Sequence, residues 1–345
     1  MYKKYLSIAA LLFTIVISTF SLTAVSRSNE VNIYSARKES LIKPLLDQFS
    51  AETGIKTNLI TASADKLLTR MVNEGRNTPA DILITVDAGR LVRARQADIF
   101  QPIKSQLIEQ AVPPNLRDTE NYWIGLSRRA RVIFYAKERV DPAQLSTYEN
   151  LADRQWKGRI CIRGSGNIYN QSLVASMIAA NGEQATQQWV NGLVGNMARP
   201  PKGGDRDQIK AAAAGQCDIA IANTYYYARM LNNKKDSAQS GAANKMAIFW
   251  PNQQGRGAHI NISGAGISKY SRNFENAIKL LEFLISPVAQ SWYANANYEY
   301  PVNPSVKPGG LVSTWGAFKA DVIDLSRLGE LNSEAVKTMD RAGWK

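Results

Sequence analysis

Histidine is nearly missing from this sequence. His259 stands alone among 345 residues, and cysteine occurs only at Cys161 and Cys217. So small a stock of imidazole and thiolate excludes a structural zinc site, which draws on four nitrogen or sulfur ligands. It also leaves any serine triad dependent on His259. No G-x-S-x-G elbow and no P-loop occur, and "GSGNIY" has Gly164 and Gly166 but Tyr169 where a dinucleotide fingerprint takes its third glycine. An enzyme is therefore not the expected reading. Low-complexity stretches are absent too, and with 45% hydrophobic residues the chain can bury a core. Its length suits one large two-lobed unit or two ordinary domains.

Long apolar runs are confined to the start. Lys3 and Lys4 precede a run from Ile8 to Val25, with the small residues Ala24 and Ser26 at its end and polar sequence after it. This reads as an export signal, residues 1–26, cleaved after Ser26, with a retained anchor as the alternative because the run approaches the ~20 residues of a membrane span. No cysteine lies near that junction, so a lipoprotein is not expected. The mature protein is expected to be periplasmic. Loss of Lys3 and Lys4 takes the formal charge from +13 to +11, a field that suits an anionic partner or a negative membrane surface. The charge is spread along the chain without basic runs, and no groove-reading module is present, so nucleic acid is not an expected partner. An oxidising compartment lets Cys161 and Cys217 pair, since both fall in segments that read as strands of one lobe, "GRICIRG" and "GQCDIAIA".

From Val31 onward, short apolar runs alternate with amphipathic stretches. "VNIYSA", "IKTNLIT" and "ADILITVD" read as strands. "KESLIKPLLDQFSAETG", "ADKLLTRMVNEG" and "AGRLVRARQADIF" read as helices. The long apolar-edged strand in "GLSRRARVIFYAKERV" breaks this rhythm and marks a crossing into a second region, where "KGRICIRG", "NQSLVASMIAANG", "DRDQIKAAAAGQ" and "CDIAIAN" repeat it. "AIFWPNQ" to "ISGAGIS" brings the chain back, "NFENAIKLLEFLISPVAQSWYANA" adds two helices broken at Pro287, and the tail from Val312 reads as helical. The expected fold is α/β, with two lobes, each a mixed and mostly parallel sheet flanked by helices, joined by two hinge strands. The first lobe is expected to take residues 27–129 and 254–304 and the second 130–253 and 305–345, with a ligand cleft between them.

In "CDIAIANTYYYARML" the strand ends near Asn223, and Thr224 suits an N-cap, which puts Tyr225 and Tyr226 in the first helical turn. "RICIRGSGNIYNQSLVASM" repeats the arrangement, with Tyr169 at a helix start. Helix amino ends carry a partial positive charge that favours phenolate and holds small anions. A phenol with a pKa of about 10 ionises at neutral pH only where a strong cation replaces its proton. Phenolate is a hard oxygen donor, and Fe(III) matches three of them better than zinc or calcium does. A tyrosine run also fits core packing, so both readings stand on these residues alone.

Several segments together, "VNIYSARKESLIKPLLDQFSAETGIK", "PADILITVD", "RARVIFYAK", "GGDRDQIKA", "NTYYYARML", "NISGAGISK" and "NYEYPVNP", resemble the ferric-ion-binding proteins of bacterial ABC iron importers over essentially the whole mature chain. That resemblance implies a hinged two-lobed carrier, monomeric, that closes on one Fe(III) and delivers it to an ABC transporter permease in the inner membrane. It implies Tyr169, Tyr225 and Tyr226 as metal ligands, Tyr227 as packing, and Arg37 and Arg129 as holders of a synergistic carbonate, with Arg131 the second choice for Arg129. Some members carry a His-Tyr pair where this chain reads Lys38-Glu39. Two ligands are thus missing, and a bidentate carbonate plus water would complete the shell, with Glu39 or Asp87 as alternative donors. His259 is expected to be structural, and Asp205 to cap the helix that follows "GGDRD". A carrier of a small anion such as a phosphonate or carboxylate, held by the arginines with the tyrosines as lining, is the alternative. An extracytoplasmic enzyme on the same scaffold is more distant.

Overall fold

The computed structural model describes residues 29–345. The expected leader with its cleavage after Ser26 lies outside the described residues. Among those described, no helix is long and apolar enough to cross a membrane.

The strands are β1 Glu30–Ser35, β2 Lys56–Thr61, β3 Ile82–Val86, β4 Phe100–Gln101, β5 Ile124–Ala136, β6 Ile160–Cys161, β7 Ile219–Asn223, β8 Met246–Phe249 and β9 Ile260–Ser268. They join in the order β2-β1-β3-β9-β5-β7-β6, with β4 on β9 and β8 on β5. The strands separated by crossover helices are parallel, β1 with β2 and β3, and β6 with β7. The crossing strands are not: β5 runs antiparallel to β7, β8 and β9, and β9 antiparallel to β3 and β4. The parallel character is therefore confined to the two flanks, because a chain that crosses and returns must lay its two crossings side by side in opposite directions.

β5 belongs to both halves of the sheet. Ile124 to Ala130 pair with β9, and Arg131 to Ala136 with β7 and β8. Return passes through residues 250–259 into β9, whose nine residues are all buried. β7 is likewise buried along its whole length, as expected of a central strand covered on both faces.

The helices follow the apolar periodicity with local adjustments. The first begins at Lys43, as Lys43–Thr53, with Pro44 in its opening turn and a separate 3-10 turn at Glu39–Leu41. Leu45, Leu46 and Phe49 form its buried face. Pro287 opens the helix Pro287–Ala296, capped by the Ser286 hydroxyl, the position where a missing N–H costs nothing. A helix at Glu183–Gly195 adds to those read from sequence. The tail is only partly helical, and its Ser326–Glu330 turn packs against both Ala88–Gln96 in one half and Ile168–Asn181 in the other. Gly329 has no room for a Cβ beside Val92, so this contact between the halves needs glycine.

Cys161 and Cys217 form a disulfide, with Cα atoms 6.0 Å apart, joining the end of β6 to the residues just before β7. Replacing both by serine is expected to lower the unfolding free energy by about 4 kcal/mol, the loop entropy of a closure spanning 56 residues. A denaturant midpoint unchanged from the oxidised protein would contradict this.

Candidate metal centre

Two strand-to-helix corners bring the phenols together. β7 ends at Asn223 and passes directly into the helix Thr224–Leu231, so Tyr225 and Tyr226 fall in its first turn. At the second corner the Asn167 side chain accepts the backbone N–H of Tyr169 at 3.1 Å and starts the helix Ile168–Asn181. The Tyr225 hydroxyl donates to the Tyr169 hydroxyl at 3.2 Å, and the rings of Tyr225 and Tyr226 lie 4.3 Å apart. All three phenols thus stand at positive helix ends, one against the next.

The surroundings of Tyr225 and Tyr226 hold their protons on in the absence of a cation. Burial pushes the Tyr225 phenol well above its ordinary value, and the neighbouring Tyr169 and Tyr226 oxygens add to this against the opposing pull of Arg129. Tyr226 is raised for the same reasons, burial first and then Tyr169 and Asp205. Phenol oxygens gathered this closely are a set for which a multivalent cation is the natural counter-charge. Among the described residues no group of three His, Cys, Asp or Glu side chains offers an alternative metal site.

Tyr227 faces the other way. Its hydroxyl donates to the Met246 carbonyl at 2.9 Å and its ring packs on Phe134 and Trp315. Position 227 is thus spent on packing, while 225 and 226 serve the corner.

The arginines divide by how far they are already committed. Arg129 is 2% exposed and sits with its guanidinium carbon 5.4 Å from the Tyr169 ring centre. Its Nη1 donates to the Ser263 hydroxyl at 3.1 Å, while Nε and Nη2 have no protein partner. Buried donors left in that state cost about 1–3 kcal/mol each, so they are suited to an anion beside the phenols. Arg131 is the opposite case. Its Nη1 and Nη2 reach Asp205 at 2.9 Å, Asn223 at 3.3 Å, Asn170 at 2.7 Å and the Ile221 carbonyl at 3.2 Å. It ties both tyrosine corners to β5 and has little left for a ligand. Arg37 is buried and paired through Nη2 with Glu299 at 3.0 Å, with Ser127 at 3.5 Å from Nη1. Burial works against its charge, but Glu299 outweighs this and holds its pKa up, with the Tyr225 oxygen near enough to contribute. Only its Nε is uncommitted.

Two capping assignments change. Asn223, not Thr224, is the N-cap residue of the tyrosine helix, and its side chain is used on Arg131 and the Tyr225 hydroxyl. Asp205 does not cap its helix. It receives Arg131, Arg163 and the Asn223 backbone N–H, while Asp207 accepts from Gly204 at 2.8 Å. Glu39 is exposed on its 3-10 turn. Asp87 is fully buried at φ 82°, with its carboxylate accepting from Gly89, Ser172 and Asn261, which leaves it committed to protein donors. His259 is buried and its pKa lies well below the ordinary imidazole value because of that burial and the arginines 256, 131 and 129. Glu299 and Asn223 carry no sequence signal for their roles, since both act through partners remote in the chain.

Residues 77–312 match the family model for bacterial extracellular solute-binding proteins. Iron uptake protein A1 of Synechocystis is 46% identical over 99% of this chain and 98% of its own length. Among solved structures, the Trichodesmium protein IdiA (FutA), in complex with iron and citrate ligands, aligns with a TM-score of 0.89 at 50% identity, covering 92% of this chain and 100% of that one. The ferric binding protein of Campylobacter jejuni follows with a TM-score of 0.85 at 38% identity, over 91% of this chain and 100% of its own.

Proposed function

The chain belongs to the bacterial extracellular solute-binding protein family, and from that premise we propose that it is a periplasmic carrier of ferric ion for an ABC transporter permease of the inner membrane. The carrying observation is the hydroxyl cluster of Tyr169, Tyr225 and Tyr226 at two helix amino ends, with the half-free guanidinium of Arg129 beside it. Iron uptake replaces the phenolic protons by Fe(III). Nε and Nη2 of Arg129 would hold a small anion, carbonate in this reading, which would supply donors that Lys38 and Glu39 do not.

In this reading the first lobe takes residues 27–129 with 254–304 and the second residues 130–253 with 305–345; β5 passes from pairing with β9 to pairing with β7 between Ala130 and Arg131. Closure about the two crossings brings Arg129 and Arg37 of the first lobe onto the phenols of the second. Iron shifts the equilibrium by its greater affinity for the closed form. Arg37 would act on the anion chiefly through its field, because Nη2 is held by Glu299 and Nη1 by Ser127.

The test is the visible spectrum. Iron with bicarbonate is expected to give an orange to red phenolate band. Arg129→Gln is expected to keep that band but lose about tenfold to a hundredfold in ferric affinity, the usual cost of an outer partner of a metal site, together with most of the bicarbonate dependence. A colourless protein that binds a phosphonate or carboxylate without iron would favour the anion carrier instead.

A further inference from the structure

β5 and the return strand form an antiparallel ladder through the crossing, with Arg129 opposite Asn261 and Ala130 opposite Ile260. At the next pair the Arg131 N–H donates to the His259 carbonyl at 3.1 Å. In a regular ladder such a pair exchanges two bonds, so the His259 N–H would donate to the Arg131 carbonyl. Here it does not. The His259 N–H donates at 3.0 Å to the hydroxyl of Tyr148, and that hydroxyl donates onward to the Arg131 carbonyl. A side-chain oxygen stands in the ladder where the chain passes between the halves of the sheet.

We propose that Tyr148 is a positioning residue, a wedge that fixes the spacing of the two crossing strands and thereby the lobe angle at which Arg129 meets the phenols. This rests on the two-lobed carrier reading above. Tyr148 is fully buried and firmly seated. Its carbonyl accepts the Trp189 indole N–H at 2.7 Å, and its N–H donates to the Asn252 side chain at 3.0 Å, on the return segment itself. Burial raises its phenol above the ordinary range, so the hydroxyl keeps the proton it donates. On one side of the wedge β5 carries Arg129, which faces Tyr169. On the other, Arg131 is braced to Asp205, Asn170 and Asn223 at the tyrosine corners. That bracing opposes any closing of the strands onto a vacated position, and a buried N–H without an acceptor does not persist quietly. A small change at residue 148 is therefore amplified into the angle between the lobes.

Tyr148→Phe removes only the hydroxyl. Deuterium exchange on the iron-free protein is expected to speed up by at least about tenfold at the amides of residues 258–260, as local opening of the crossing becomes easier, with β7 unchanged. Ferric affinity is expected to fall about tenfold while the position of the phenolate band stays where it is in the parent protein, because the ligands are untouched. Trp189→Phe, which loosens the seat of Tyr148, is expected to show the same pattern at smaller size, and serves if the first variant does not fold. The control is the double variant Cys161→Ser, Cys217→Ser, destabilised in the same lobe away from the crossing. Unchanged exchange at the crossing overturns the proposal, as does an affinity loss that the control reproduces at equal stability. A parent protein that binds no iron overturns the carrier reading, while the exchange experiment still decides the wedge.

Discussion

Tyr225→Phe and Tyr226→Phe are each expected to abolish most of the visible phenolate-to-iron band and to lower ferric affinity by well over about a hundredfold. Loss of an outer partner alone costs up to that much at metal sites, and here an anionic ligand itself is removed. The substitution leaves the ring, so packing against the neighbouring phenol at 4.3 Å survives and a folding defect is not the expected cause. Tyr227→Phe supplies the comparison within the same helix turn. It forfeits one hydrogen bond to the Met246 carbonyl, worth about 1 kcal/mol of stability, and is expected to leave colour and affinity unchanged. Equal effects at all three positions, measured by chelator competition, would contradict the assignment.

The second large effect is on pH. Tyr225 and Tyr226 have pKa values raised by burial and by their neighbours, so in the iron-free protein they hold their protons throughout the neutral range. Binding must expel those protons. Each one expelled lowers the apparent affinity tenfold per unit fall in pH, so these two phenols alone give about a hundredfold per unit. The sign follows from the raised values: affinity climbs with pH at all values below the shifted pKa and is lost as the medium acidifies. Proton release on iron addition in weakly buffered solution reads the same quantity. Release of about two or more protons per ion is expected, carbonate adding to the count. A value near zero would contradict the phenolate account.

The tyrosine corners were legible in the sequence because each is a local pattern: a buried apolar strand, a short turn, and a helix whose first residues are aromatic. Tyr227 separates from its neighbours for the same reason, since successive helical residues point in different directions and only some of a run of three can face one ligand. The disulfide follows from two cysteines in or beside adjacent strands of one half. What the sequence withheld depends on distant partners. Arg37 meets Glu299 across 262 residues, and no local feature tells that an arginine placed to hold an anion already holds a carboxylate. Asp205 and Asp207 look alike beside "GGDRD". Burial decides between them, one serving Arg131 and the other capping its helix. The direction of the crossing strands was not legible, because a strand that serves two sheet halves has no periodicity of its own to announce which way its neighbours run.

Arg129 and Arg131 show why burial alone does not identify a binding residue. Both are 2% exposed. Arg131 has both terminal nitrogens engaged by protein partners and braces the phenol corners, whereas Arg129, beside the Tyr169 ring, keeps Nη2 as well as Nε free. The unsatisfied guanidinium is the better candidate because an anion would relieve its cost.

A crystal structure of the protein loaded with Fe(III) in bicarbonate tests the central claim most directly. The account predicts one ion bonded to the phenolate oxygens of Tyr169, Tyr225 and Tyr226, with an anion between that ion and Arg129. An ion held by carboxylates elsewhere, with these three hydroxyls still sharing their protons, would contradict it.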